Sequence, residues 1–221
     1  MDAPDPGHSN PRGTAPDKYD VKRAHRDLYA PSATDFTLVD VPPMQYLAVD
    51  GHGDPNTAPA YAEAVEALFG VAYAVKFASK NGAGRDFTVA PLEGLWWADD
   101  PGAFAANDRA AWNWTMLIAQ PDWIDEPSVA AGIEAARSKG RGTPSLDALR
   151  LMRLSEGTSA QILHLGPFAD EAPTLARLHH EWMPAHGFTF NGPHHEVYLS
   201  DPRRTAPEKL RTVLRQPVRK A

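Results

Sequence analysis

The chain runs twice through one order of elements, strand, helix, strand, strand, with matching punctuation each time. Such a repeat constrains the fold more than any composition figure, because each pass must solve the same packing problem. In the first pass Met44–Asp50 reads as a strand, and Thr57 to Ser79 carries Tyr61, Ala64, Val65, Leu68, Ala72 and Val75 at helical spacing. Residues 86–97, DFTVAPLEGLWW, and 112–120, WNWTMLIAQ, read as two further strands. In the second pass the strand is 159–165, the helix 171–186, and the closing strands are 194–199 and 210–216. Ala58-Pro59 opens one helix and Ala172-Pro173 the other; Gln120-Pro121 closes one half and Gln216-Pro217 the other. Glu93 and Glu196 each interrupt an apolar strand at positions that look equivalent. The expected class is α+β: two βαββ units, residues 36–121 and 159–217, with antiparallel sheets. A βαββ unit cannot bury both faces alone, so a pair of them would enclose a central cleft on a pseudo-twofold axis, a common setting for a ligand.

The remaining segments are read from composition. Residues 1–17 hold no aromatic or branched aliphatic side chain and are expected to be a disordered tail. The mixed, basic stretch 18–35 is expected to dock on the surface, and 126–154 to form two short helices split by Gly140-Arg141-Gly142. The Pro42-Pro43 pair belongs at a strand start or a bulge, since proline offers no donor to a ladder. With no apolar run of about 18–20 residues and no apolar signal core, the expectation is a cytoplasmic protein without a membrane partner. A net charge of −6 argues against a nucleic-acid partner.

Much familiar chemistry is excluded. There is no cysteine, so thiolate nucleophiles, disulfides and thiolate metal centres are out. No G-x-S-x-G elbow, Walker A loop or H-E-x-x-H helix occurs, and Gly82-Ala83-Gly84 follows a helix instead of a strand. No cofactor and no metal site are expected. Six histidines cluster in the second half: His164, His179, His180, His186, His194 and His195. Neighbours on a helix point about 100° apart and neighbours on a strand point to opposite faces, so neither His179-His180 nor His194-His195 chelates locally. They read as solvated or satisfied polar groups. Strand alternation puts Glu196 and Tyr198 on one face, and Glu93, Leu95 and Trp97 on one face. The spacing alone allows a solvated glutamate as readily as a pocket carboxylate. Recurrence in both halves favours the pocket, as does the aromatic supply: Tyr61, Trp96, Trp97, Trp112, Trp114, Trp182 and Tyr198. Rings around a carboxylate suit a flat, lipophilic or cationic small molecule. Trp182, on the helix stripe, is the tryptophan best placed to fill core instead.

The run from Ser155 to Val218, SEGTSAQILHLGPF through HHEVYLSDPRR to LRQPV, resembles the GyrI-like small-molecule-binding proteins. PPMQYLAVDGHGDPN through PLEGLWW is similar to the stand-alone branch of that family. The resemblance spans about residues 35–218 and implies one domain over 18–221 with a ligand cleft between halves. It implies hydrolysis of cyclopropanoid genotoxins of the duocarmycin and yatakemycin type. A non-catalytic binder or sensor of lipophilic aromatic cations, without a DNA-binding domain, is the alternative. The family's buried pocket glutamate falls best on Glu196, with Glu93 as second candidate. Glu196 would activate water, with Tyr198 or Tyr61 stabilising the oxyanion; Tyr61, Trp96, Trp97, Trp112, Trp114 and Trp182 would be the walls.

Overall fold

A computed structural model of the protein describes residues 18–100, 108–140 and 142–221; the expected tail at 1–17 lies outside them. The fold is α+β, with nine strands among the described residues in one antiparallel sheet. The strands are β1 (Thr37–Val41), β2 (Met44–His52), β3 (Leu92–Trp97), β4 (Asn113–Gln120), β5 (Arg150–Leu154), β6 (Gly157–Leu165), β7 (Phe188–Phe190), β8 (His194–Tyr198) and β9 (Arg211–Lys220). Their order is β1-β6-β9-β8-β3-β4-β2-β5, with β7 joined to β9. Read outward from the central β8·β3 pair, one side runs β8-β9-β6 and the other β3-β4-β2. The same sequence of strands is thus met in either direction.

The two outermost strands are exchanged between the halves. β1 precedes β2 in sequence but pairs with β6, and β5 precedes β6 but pairs with β2. The register Thr37↔Gln161 to Val41↔Gly157 resumes at Met44↔Leu154 and runs to Ala48↔Arg150. Residues 37–48 and 150–161 therefore form one long antiparallel ladder, interrupted where Pro42 and Pro43 offer no N–H. A flat sheet would hold β1 and β2 six strand spacings apart, about 29 Å, whereas three residues span at most about 10 Å. The sheet must roll until its rims meet at this crossing. Residues 150–154, expected as helix, are strand because their partner is β2, a requirement that local pattern does not reveal.

Strand alternation gives the rolled sheet two distinct faces. One carries Ala160, Leu214, Glu196, Gly94, Met116 and Val49 and is covered by helices. In the first half that helix is α3 (Pro59–Ala78), burying Ala64, Leu68, Val71, Ala72 and Val75. In the second half it is α6 (Ala172–Arg177), continued by a wide π-type turn over Leu178–Trp182 and by α7 (Met183–Ala185). The expected single helix 171–186 is broken by Pro184, which lacks the N–H for the carbonyl four residues back, and the turn ahead of it widens. α4 (Glu126–Arg137) packs beside α3, with α5 (Pro144–Asp147) following it. Two short helices, α1 (Val21–Ala24) and α2 (Arg26–Tyr29), precede β1. They are not surface appendages: Val21, Leu28 and Tyr29 are buried.

Two glycines on the helix-covered face make room for tryptophans. A Cβ on Gly51 would lie 2.0 Å from the Trp114 ring, which is fully buried across the β2·β4 pair. Gly51→Ala should therefore lower unfolding stability by about 1–3 kcal/mol, read from the urea midpoint, because the ring has nowhere to move. An unchanged midpoint would show that the ring is free to shift.

Candidate functional site

The sheet separates the two glutamates singled out in the sequence. Gly94 stands opposite Glu196 and Val197 opposite Glu93, so the two carboxylates point to opposite faces. They are not equivalent positions. On the inner face Glu93 is fully buried and holds a network of its own. The Tyr29 hydroxyl donates to Glu93 Oε1 at 2.7 Å, and His195 Nε2 lies 3.0 Å from Oε2. His195 Nδ1 lies 2.9 Å from Glu156 Oε1, and Arg215 Nη1 donates to Glu156 Oε2 at 3.4 Å. Arg215 also reaches the Leu28 carbonyl (2.8 Å), and Gln161 reaches that of Asp27 (2.7 Å).

Both ring nitrogens of His195 face carboxylates, which only accept, so the ring must be an imidazolium. Burial alone would lower its pKa, but Glu156 and Glu93 raise it to about 9. Glu156 meets the converse: burial would raise it, while His195 and Arg215 hold it at about 2. Two anions and two cations balance. This cluster ties the 18–30 segment to the sheet, on the face opposite Glu196.

The outer face holds a cleft of about 2510 Å³ between α3 and the second-half helix, over β8 and β3. It is larger than the ~300–1,000 Å³ of usual ligand pockets. Glu196 lies in its floor with a side chain 14% exposed, against the Tyr198 hydroxyl. Trp96 Nε1 donates to that hydroxyl at 3.0 Å. The bond requires Gly94, since a Cβ there would lie 2.8 Å from Trp96 Nε1 and 3.2 Å from the Tyr198 oxygen. With its lone pair engaged by Trp96, the Tyr198 O–H is left to donate. Burial, then Glu196, keeps that hydroxyl protonated far above the usual tyrosine range, and burial does the same for Tyr61.

Aromatic walls surround this centre. Trp96 and Trp112 meet edge to face at 5.9 Å, Tyr61 lies 6.2 Å from Trp96, and Phe168 meets Tyr198 at 5.6 Å. Trp97 also lines the cleft. Trp114 does not: it is buried beneath Tyr61, 5.4 Å away, and supports that ring from behind. Trp182 is elsewhere, packed with Phe36, His186 and Phe188 in a separate small core. Of the sequence candidates, the cleft gathers Glu196, Tyr198, Tyr61, Trp96, Trp97 and Trp112.

Three further residues belong to it that the sequence did not reveal as site residues. Glu171 is 5% exposed and lines the cleft; burial, then the charge of Glu196, pushes its pKa up to about 9. In the sequence it is only the first residue of the expected helix 171–186, and no local signal marks its burial. His179 and His194 line the cleft instead of facing solvent. Burial, with His194 and His180 nearby, lowers the His179 pKa to about 4, so it is neutral near pH 7. For His194 a signal existed, since alternation puts it on the Glu196 side. Among the described residues no group of three or more histidine or acidic side chains could hold a metal ion.

The sequence profile of the GyrI-like small molecule binding domain matches residues 34–219. Three solved structures from Listeria innocua each cover 91% of this chain and 100% of their own. One is described as a conserved protein, with 38% identity and a TM-score of 0.83. Two are described as hydrolases, with 38% and 39% identity and TM-scores of 0.78 and 0.80. Comparison with curated proteins returns no match.

Proposed function

The chain belongs to the GyrI-like small-molecule-binding family, and from that premise we propose that it hydrolyses cyclopropanoid genotoxins of the duocarmycin and yatakemycin type for detoxification. The observation that carries this reading is the Glu196–Tyr198–Trp96 centre, a carboxylate and a donating hydroxyl set in an aromatic cleft. The similarity to Listeria innocua hydrolases supports it.

The chemistry asks little of a protein that lacks a nucleophilic thiol. The rings hold a flat dienone beside Glu196. Glu196 orients a water and takes its proton as the oxygen bonds to the ring methylene. The cyclopropane carbon–carbon bond breaks, and its electron pair moves into the dienone to give a phenolate. A tyrosine hydroxyl of the cleft, Tyr198 or Tyr61, is the donor to that developing charge. The proton held on Glu196 then returns to the phenolate through solvent, so the sum is substrate plus one water.

Incubation of catalytic amounts of protein with a cyclopropanoid alkylator tests this. Mass analysis should show a product heavier by one water, accumulating beyond the protein concentration. Tryptophan quenching by the same compound without that product would leave a non-catalytic binder.

A further inference from the structure

The two walls of the cleft are chemically unlike. The α3 side and the floor of β3 present Tyr61, Trp96, Trp97 and Trp112. The second-half side presents hydrogen-bonding groups in line. Glu171, Leu175 and His179 recur every four residues and so share the stripe of their helix that lines the cleft. His194 rises from the floor on the same face as Glu196.

Four atoms of this wall are buried with no hydrogen-bond partner among the described residues, namely Glu171 Oε1, His179 Nε2 and both ring nitrogens of His194, although the Thr212 hydroxyl stands near Glu171 and the Gln216 side chain near His179. The His194 side chain is only 11% exposed, and its Nε2 stands 3.4 Å from Glu196 Oε1 without the alignment of a hydrogen bond. Buried polar atoms are almost always paired, and a cluster of unpaired ones on one wall of a cavity marks a place where pairing is supplied from outside. We propose that Glu171, His179 and His194 form a hydrogen-bonding subsite that reads the polar edge of a flat aromatic ligand, the edge of an aryl amide.

The donor and acceptor inventory fits that class. A neutral imidazole offers one N–H and one bare nitrogen, and a protonated carboxyl offers an O–H beside its carbonyl. An aryl amide presents an N–H and a C=O in the plane of its rings, so its faces can lie on the tryptophans while its edge meets the polar wall. A bare lipophilic cation would leave every one of these atoms unpaired. The inference rests on the reading that this cleft is the ligand site, and it adds which edge of the ligand is recognised.

Two planar probes of equal length separate the contributions: 2-naphthanilide and its hydrocarbon counterpart trans-2-styrylnaphthalene. Equilibrium dialysis against the full chain should give the anilide a dissociation constant about tenfold lower or better, as one or two buried hydrogen bonds provide. In His194→Phe the preference should shrink to about threefold or less while the hydrocarbon still binds. Should that chain fail to fold, His179→Leu carries the same comparison. Equal affinity for both probes, or a preference untouched in the variants, overturns the subsite. Water addition to a cyclopropanoid without amide preference overturns the subsite alone. Amide preference without water addition overturns the hydrolase reading alone. Failure of both probes to bind overturns the subsite and the assignment of the cleft.

Discussion

Glu196→Gln is expected to lower the rate of water addition to a cyclopropanoid by about 100-fold or more, the usual scale for removing a general base. The amide keeps the volume of the side chain and a polar contact with Tyr198, so affinity for a neutral aromatic compound should stay within about threefold. The companion change sharpens the assignment. Glu171 is the neutral member of the pair near pH 7, since burial and the charge of Glu196 raise it to about 9. Glu171→Gln replaces a protonated acid by an amide of the same charge and should slow turnover much less than Glu196→Gln. Progress curves by mass, with all three chains at equal concentration, decide the matter. Full hydrolysis by Glu196→Gln would remove the proposed base. A larger loss at Glu171 than at Glu196 would reverse the roles.

On the opposite face, His195→Ala should lower unfolding stability by about 3–5 kcal/mol, because it leaves Glu93 and Glu156 buried with their shared cation gone. For a chain of this length that is a fall in Tm of roughly 10 °C. A second signature distinguishes lost charge pairing from a simple cavity. The folded pKa of His195 is raised to about 9, so its contribution is fully present below the unfolded value of about 6.5 and is lost as pH rises through 9. Glu156 is held at about 2; its contribution is present above the unfolded carboxylate range of about 4.3 and is lost as pH falls towards 2. Native stability should therefore fall between pH 6.5 and 9, and this component of the fall should vanish in His195→Ala. A Tm within about 2 °C of native, or an unchanged alkaline slope, would refute the pairing.

What the sequence made legible follows from how local each signal is. The helix from residue 59 and strands β2, β4, β6, β8 and β9 announce themselves by periodicity. Alternation along HHEVY correctly joined Glu196 to Tyr198. The equivalence of Glu93 with Glu196 failed because it depends on the pairing of β3 with β8, a relation between residues a hundred apart. The recurring glutamates looked equivalent in sequence, yet they sit one residue out of step across the central pair. RLMRL at 150–154 has no clear period, and only β2 beside it makes it a strand. In 18–30 the buried side chains are too few for a pattern, yet one of them, Tyr29, reaches Glu93. Trp182 and Trp114 show the limit for aromatics: the sequence supplies rings, and only packing tells a wall from a foundation.

The exchange of β1 and β5 has a consequence for how the chain is made. Up to residue 121 the chain holds β2, α3, β3 and β4, enough for half a sheet. That half still lacks β5 on one rim and β8 on the other, and both are synthesised later. Until then the LEGLWW edge, with its unpaired amides and two tryptophans, is open to any other nascent strand. The closing ladder then joins residues 37–48 to residues 150–161, the kind of distant contact that makes folding slow. Closure of the first half therefore waits on segments that follow it by a hundred residues in sequence, and the LEGLWW edge is exposed until they arrive.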